Sequence, residues 1–174
     1  VREPESFDRS DLLEGGNTTV HSVREAVAGS EVIVVATPPE AAEGLAATLG
    51  DLTGKTLIDT SNAVRSRPEH YPTAYHAFAA LTAAQVVKCF NSTGFENMAD
   101  PRYGDSGLDM FMAGDSAPAK AVAERLARDL GFTACYDFGG ADRVELLEQF
   151  ALSWINLAIF QGVGRGIGFK VLRR

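Results

Sequence analysis

The stretch "SEVIVVATPPEAAEGL", residues 30–45, decides the fold class. Val32, Ile33, Val34 and Val35 follow one another without polar alternation. Such a run predicts a parallel strand covered on both faces, because strict alternation belongs to sheets with one wet face. Thr37-Pro38-Pro39 breaks the strand, and "EAAEGLAATLG" (40–50) continues as a helix closed by Gly50. In open α/β sheets, ligands bind just beyond the carboxyl ends of such strands. Thr37-Pro38 therefore marks one corner of a candidate crevice.

The same alternation extends both ways. Upstream, Ser22 and Glu25 form a capping-box pattern ahead of "VREAVAG", with Gly29 as its stop and a short strand expected over 18–21. Downstream, "KTLIDTSN" (55–62), "QVVKCFN" (85–91), "LDMFMAGD" (108–115) and "FTACYDFG" (132–139) read as further strands. A weak helix is expected at 74–83, and a stronger one at 117–131 with Val122, Leu126 and Leu130 as its apolar positions. A long helical stretch from Ala141 to Arg174 is expected to close the chain, loosened by Gly162, Gly164, Gly166 and Gly168. Alternating strands and helices predict a doubly wound, mostly parallel α/β sheet.

Composition narrows the function. The 174 residues suit one substantial core, with 45% hydrophobic and 22% charged residues. A formal charge of −7 argues against nucleic acid or an anionic membrane surface as the main partner. The longest apolar run, "FALSWINLAIF" (150–160), is too short to span a bilayer. Cys89 and Cys135 lie in no metal or disulfide pattern, so reduced thiols in a cytoplasmic protein are expected. His21, His70 and His76 are scattered, and neither a nucleophile–base pair nor a metal site is expected.

"GVGRGIGFK" (162–170) fits neither the dinucleotide nor the P-loop spacing and follows a helix rather than a strand. Close helix packing through small residues is its expected role. The informative polar residues are Thr37, Ser61-Asn62 and Asn91-Ser92, each ending an apolar run. Parallel strands place all three at one sheet edge, where small polar tips suit a ribose and a carboxamide. Helix and turn capping is the alternative role for each.

"VVKCFNSTGFENMADPRYGDSGLDMFMAGD" (86–115) resembles the coenzyme F420-dependent NADP oxidoreductase family, whose fold also forms the cytosolic domain of the STEAP metalloreductases. "ATPPEAAEGL", "GKTLIDTSNAV" and "RVELLEQFALSWINLAIFQGVGRGIGFKVLRR" carry the resemblance over nearly the whole chain. It implies a Rossmann-type sheet that binds NADP, with a deazaflavin (F420) or flavin-like acceptor stacked on the nicotinamide. Arg2 is then the cation for the 2′-phosphate, with Val1 where the family has Ser. Thr37 and Pro38 fall at the nicotinamide-ribose turn and Ala41 begins the following helix, with Pro39 where an aromatic residue is common. Asn62 and Val64 match the next loop, and the segment from Asn91 to Phe95 matches the loop on the hydride-transfer face.

The family also has an initial strand, a glycine loop and a helix that would precede Val1, so a Rossmann-type sheet without its first strand is expected here, with Val32–Val35 as an apolar edge. Either a fragment or a non-standard start accounts for the initial Val. By itself this chain is expected to bind NADPH poorly or not at all, because the helix N-terminus and glycine-turn N–H groups that hold the pyrophosphate are lacking. The expected organisation is an NADP-binding domain over 1–140 and a C-terminal helical segment over 141–174 that packs internally, at the acceptor site or in a homodimer. The expected activity is NADPH-dependent oxidoreduction with no catalytic side chain, since the cofactor carries the hydride chemistry. The alternatives are an NADP-linked reductase of another small acceptor, or a non-catalytic interaction module that pairs through its exposed edge.

Overall fold

The computed structural model describes residues 4–174, so Val1 and Arg2 lie outside the described residues. In chain order the main elements are α1 (Val23–Ala28), β1 (Val32–Val35), α2 (Ala42–Ala46), β2 (Thr56–Asp59), α3 (Ala74–Leu81) and β3 (Gln85–Cys89). There follow α4 (Phe95–Ala99), the small strands β4 (Arg102–Tyr103) and β5 (Ser106–Gly107), β6 (Asp109–Ala113), α5 (Ala117–Asp129), β7 (Ala134–Asp137) and α6 (Val144–Ile155). One five-stranded sheet has the order β1-β2-β3-β6-β7. β1, β2 and β3 are mutually parallel, β6 runs antiparallel to β3, and β7 is parallel to β6. The expected mostly parallel α/β sheet is therefore present.

Consecutive apolar residues on the central strands serve opposite faces. Leu57 and Val86 join one core with Phe78 of α3 and Leu147 of α6. Ile58 and Val87 join the other, with Met110 and the alanines of α5. Burying each such large side chain contributes about 1.5–3 kcal/mol, and this two-sided burial is why the strands read as unbroken apolar runs. β1 departs from that reading. It is the edge strand of the described sheet, and Val34 remains 55% exposed.

Three local expectations change. Residues 18–21 form no strand; the capping box of Ser22 and Glu25 is present, but the chain before it is irregular. On α5 the buried stripe is Ala119, Ala123 and Ala127, whereas Leu130 is exposed. Small residues at that spacing let the helix approach the sheet closely, and the larger side chains are displaced to the flank. Finally, α6 continues only through a π-helical turn, Asn156–Phe160, and residues 161–174 are not helical. Gly162 and Gly164 take φ of 69° and 96°, which ends the helix. The glycine-rich run is thus an extended strap and not a helix. At Gly168 an added Cβ would overlap the Leu108 side chain, which would have to shift for the strap to cross there.

Candidate functional site

The carboxyl ends of β1, β2 and β3 meet at one sheet edge, as their parallel pairing requires. The end of β2 is tied to β1 by Thr60, whose N–H and hydroxyl both donate to the Val35 carbonyl, each at 3.1 Å. Beside it, Asp59 Oδ1 accepts from the Ser61 N–H at 2.9 Å and the Ser61 hydroxyl at 2.7 Å. Asn62 and Asn91 then lock the tips of β2 and β3 together. Asn62 Nδ2 donates to the Asn91 carbonyl at 2.8 Å, and Asn91 Nδ2 donates to Asn62 Oδ1 at 2.9 Å.

Beneath this pair lies a buried ionic cluster. Lys88 Nζ donates to Asp59 Oδ2 at 2.9 Å and to Glu148 Oε1 at 2.5 Å. Lys88 and Asp59 are wholly buried and Glu148 is 5% exposed. The other Glu148 oxygen accepts the Ala63 N–H at 2.9 Å, which joins α6 to the loop that carries Asn62 and Val64. A half-paired cluster of this kind would cost several kcal/mol of desolvation per ion; here all four carboxylate oxygens have donors.

Two further features concentrate at the tip of β3. Phe90 has φ of +59°, a left-handed conformation that is rare for an aromatic residue and costs of order 1–3 kcal/mol. Asn91 Oδ1 is buried with no hydrogen-bond partner among the described residues. An orphan acceptor beside a strained residue is a common mark of a ligand site.

Two grooves flank β1. One, of about 990 Å³, lies along α1 and α2 and is lined by Arg24, Thr37, Glu40 and Ala41 among others. The other, of about 600 Å³, lies on the α5 side and is mostly apolar, lined by Val34, Thr60, Phe90, Phe95, Met98 and Leu130. The residues singled out in the sequence are therefore divided. Thr37 and Ala41 share the first groove, Phe95 lines the second, and Asn62 with Asn91 forms the bridge between the strand tips. Pro38 shapes the turn, its carbonyl accepting the Ala41 N–H at 3.0 Å. Val64 is 38% exposed and lines neither groove, and Arg2 lies outside the described residues.

The strap of residues 161–174 reaches the same region. Ile167 O accepts from Trp154 Nε1 at 2.6 Å and from Asn97 Nδ2 at 2.8 Å. Arg165 pairs with Glu96 at 2.6 Å and lies 5.6 Å from the centre of the Phe95 ring. That pairing holds the Glu96 carboxyl below its usual range. Even so, Phe95 keeps 74% of its surface exposed.

The Lys88 cluster and the Phe90 conformation are not among the sequence expectations. A signal for the former exists: Asp59 and Lys88 are register partners inside apolar strands, and Glu148 interrupts an apolar helix run. Nothing local announces the positive φ at Phe90. The His70 ring lies on Glu43 at 2.8 Å and the His76 ring on the Thr73 hydroxyl at 2.8 Å. Cys89 is buried, which pushes its thiol pKa well up. Among the described residues there is no cluster of metal-ligating side chains, and no helix long and apolar enough to cross a membrane.

Comparison with known proteins agrees with this architecture. Residues 1–63 match the family model described as "NADP oxidoreductase coenzyme F420-dependent". The rat (Rattus norvegicus) metalloreductase STEAP3 is 36% identical over 112 residues, which are 63% of this chain and 22% of that protein. This chain thus spans about a fifth of the length of that curated relative. A crystal structure from Arthrobacter sp. FB24, provisionally assigned as an F420-dependent NADP-reductase, superposes with a TM-score of 0.75 at 25% identity, covering 88% of this chain and 74% of that one. A reductive aminase from Aspergillus terreus, solved with NADPH4, cyclohexanone and allyl amine, shares the fold at a TM-score of 0.62 and 18% identity, over 87% of this chain and 50% of that one. The chain is thus similar to coenzyme F420-dependent NADP oxidoreductases in sequence over residues 1–63 and in fold over most of its length.

Proposed function

We propose that this chain, as a relative of those oxidoreductases, forms the NADP(H)-binding part of an enzyme that passes hydride between NADP(H) and a deazaflavin (F420) or flavin-like acceptor. The observation that carries the reading is the unpartnered Asn91 Oδ1 at the locked tips of β2 and β3, beside the apolar groove of Phe90 and Phe95. An unpaired acceptor suits the N–H₂ of a carboxamide, and an apolar, aromatic wall suits a flat heteroaromatic ring.

In this reading Asn91 holds the carboxamide, while Asn62 fixes the orientation of Asn91. Thr37 and the turn at Pro38–Ala41 face the ribose. Val64 borders the same loop, and Phe95 shields the acceptor face from water. Arg2 takes the 2′-phosphate as a charge-assisted partner. When bound, the nicotinamide supplies the hydride itself, so the protein's part is binding, orientation and exclusion of water. No side chain is assigned to acid–base catalysis.

The test mixes the full-length protein with NADPH and either oxidised F420 or a flavin, and follows the loss of NADPH absorbance. Turnover with F420 and a preference for NADPH over NADH are expected. Arg2→Ala should weaken NADPH roughly ten- to a hundredfold, the value of one charge-assisted hydrogen bond. Equal affinity for NADPH and NADH in the wild type would overturn the assignment of Arg2. Turnover with a flavin or another small acceptor but not with F420 would overturn the deazaflavin. NADPH-independent pairing of β1 with a partner chain, without turnover, would favour a binding module instead.

A further inference from the structure

The buried cluster of Asp59, Lys88 and Glu148 lines neither groove, yet it connects three separate parts of the molecule. We infer that it is a positioning device that holds the nicotinamide end of the site in register with helix α6, an inference that rests on the reading of the Asn62–Asn91 tips given above.

The wiring is specific. From the single ammonium of Lys88, one arm runs through Asp59 to both polar hydrogens of Ser61. The second arm runs through Glu148 to the Ala63 N–H. Asn62, the residue between these two anchors, makes the side-chain pair with Asn91, and Asn91 follows Lys88 by three positions on the same chain. Both neighbours of Asn62 are therefore clamped from below, and the clamp's cation sits on the strand that leads to Asn91. Every carboxylate oxygen is used, so an uncharged amide in place of Glu148 cannot do the same work. A glutamine side chain there would have one acceptor for two donors and would turn its N–H₂ toward either the ammonium or the Ala63 N–H. A cluster built only to fill space would favour apolar residues, which commonly do as well or better at lower desolvation cost. Its connection to the Asn62 loop gives the ion cluster a role that apolar packing does not supply.

The test compares two ligands on the full-length protein: NADP⁺, and 2′-phospho-ADP-ribose, which lacks the nicotinamide. Glu148→Gln should weaken NADP⁺ by about tenfold or more, the scale of a lost hydrogen bond to a charged group, and leave 2′-phospho-ADP-ribose within about twofold. Ser61→Ala, a milder cut on the Asp59 arm, should shift the same ratio in the same direction and keep the fold, which circular dichroism checks. Equal weakening of both ligands, or no change in either, in a folded Glu148→Gln protein would overturn the positioning role. A wild-type protein that binds 2′-phospho-ADP-ribose as tightly as NADP⁺ would instead overturn the nicotinamide site, and this inference with it. The two failures are thus told apart by the wild type alone.

Discussion

The tips of β1 and β3 belong to one sheet edge, separated by a single strand, and could hardly differ more in how they are held. At β3 and its neighbour β2, two adjacent hydrogen-bonded groups, Asp59–Ser61–Lys88 and Asn62–Asn91, hold the strand ends, with Asp59 and Lys88 wholly buried. At β1 the turn of Thr37 and Pro38 is exposed, and among the described residues no side-chain hydrogen bond of Thr37 is found. Val34, three residues earlier, still shows 55% of its surface. Polar residues at strand ends thus do two kinds of work here. One set uses its hydrogen bonds within the protein, apart from the unpartnered Asn91 Oδ1, making a rigid platform. The other leaves them free for something outside it.

Removing the cation from the rigid side should have far more effect than any change on the open side. Lys88→Met leaves two buried carboxylates without their partner and should destabilise the fold by about 3–5 kcal/mol. Thr37→Val on the open side should stay within about 0.5 kcal/mol. Urea unfolding of the two variants measures the difference. Similar losses for both would mean that the two tips are not held differently.

A smaller cut goes through the platform itself. Asn62→Ala removes both side-chain bonds between the tips and strands the Asn91 groups, for an expected cost of about 1–3 kcal/mol, read from the same unfolding curves. A loss near zero would show that the pair orders nothing.

The difference also explains what can be read from the sequence. The class of sheet and the three polar tips are legible because uninterrupted apolar runs such as Leu57-Ile58 and Val86-Val87 feed both faces of a parallel sheet. The tips follow from parallel pairing alone. The end of the helical stretch misleads because glycines at 162, 164, 166 and 168 fit both a loose helix and an extended strap, and only contacts decide: the Ile167 carbonyl on Trp154 and Asn97, and Gly168 against Leu108. On α5 the bulky residues suggest the buried face, whereas close approach to the sheet selects the alanines. The Lys88 cluster involves residues 29 and 60 positions apart, so its meaning emerges only once register and helix docking are known.

The smallest effect concerns a pair outside the site, where no large effect is expected. The exposed His70 ring bonds to Glu43, which raises the His70 pKa, while the His70 N–H and ring hold the Glu43 carboxyl below its usual range. The raised His70 pKa gives a contribution present in full below the ordinary histidine value of about 6.5, lost as pH rises through the folded pKa above it. The lowered Glu43 pKa gives one present above the usual carboxylate range and lost as pH falls through its folded pKa. The pair therefore acts only between these limits. An NMR titration should find His70 above the ordinary value, and Glu43→Gln should return it there. An unshifted His70 in the wild type would show that the contact does not persist in solution.

The proposed function has the locked tips of β2 and β3 receive the nicotinamide. It is tested most directly by an NMR titration of the full-length protein with NADP⁺, following the side-chain amides of Asn62 and Asn91 and the ring of Phe95. All three signals should move with NADP⁺, and 2′-phospho-ADP-ribose should leave them in place. Saturating NADP⁺ that leaves the Asn91 amide unmoved would contradict it.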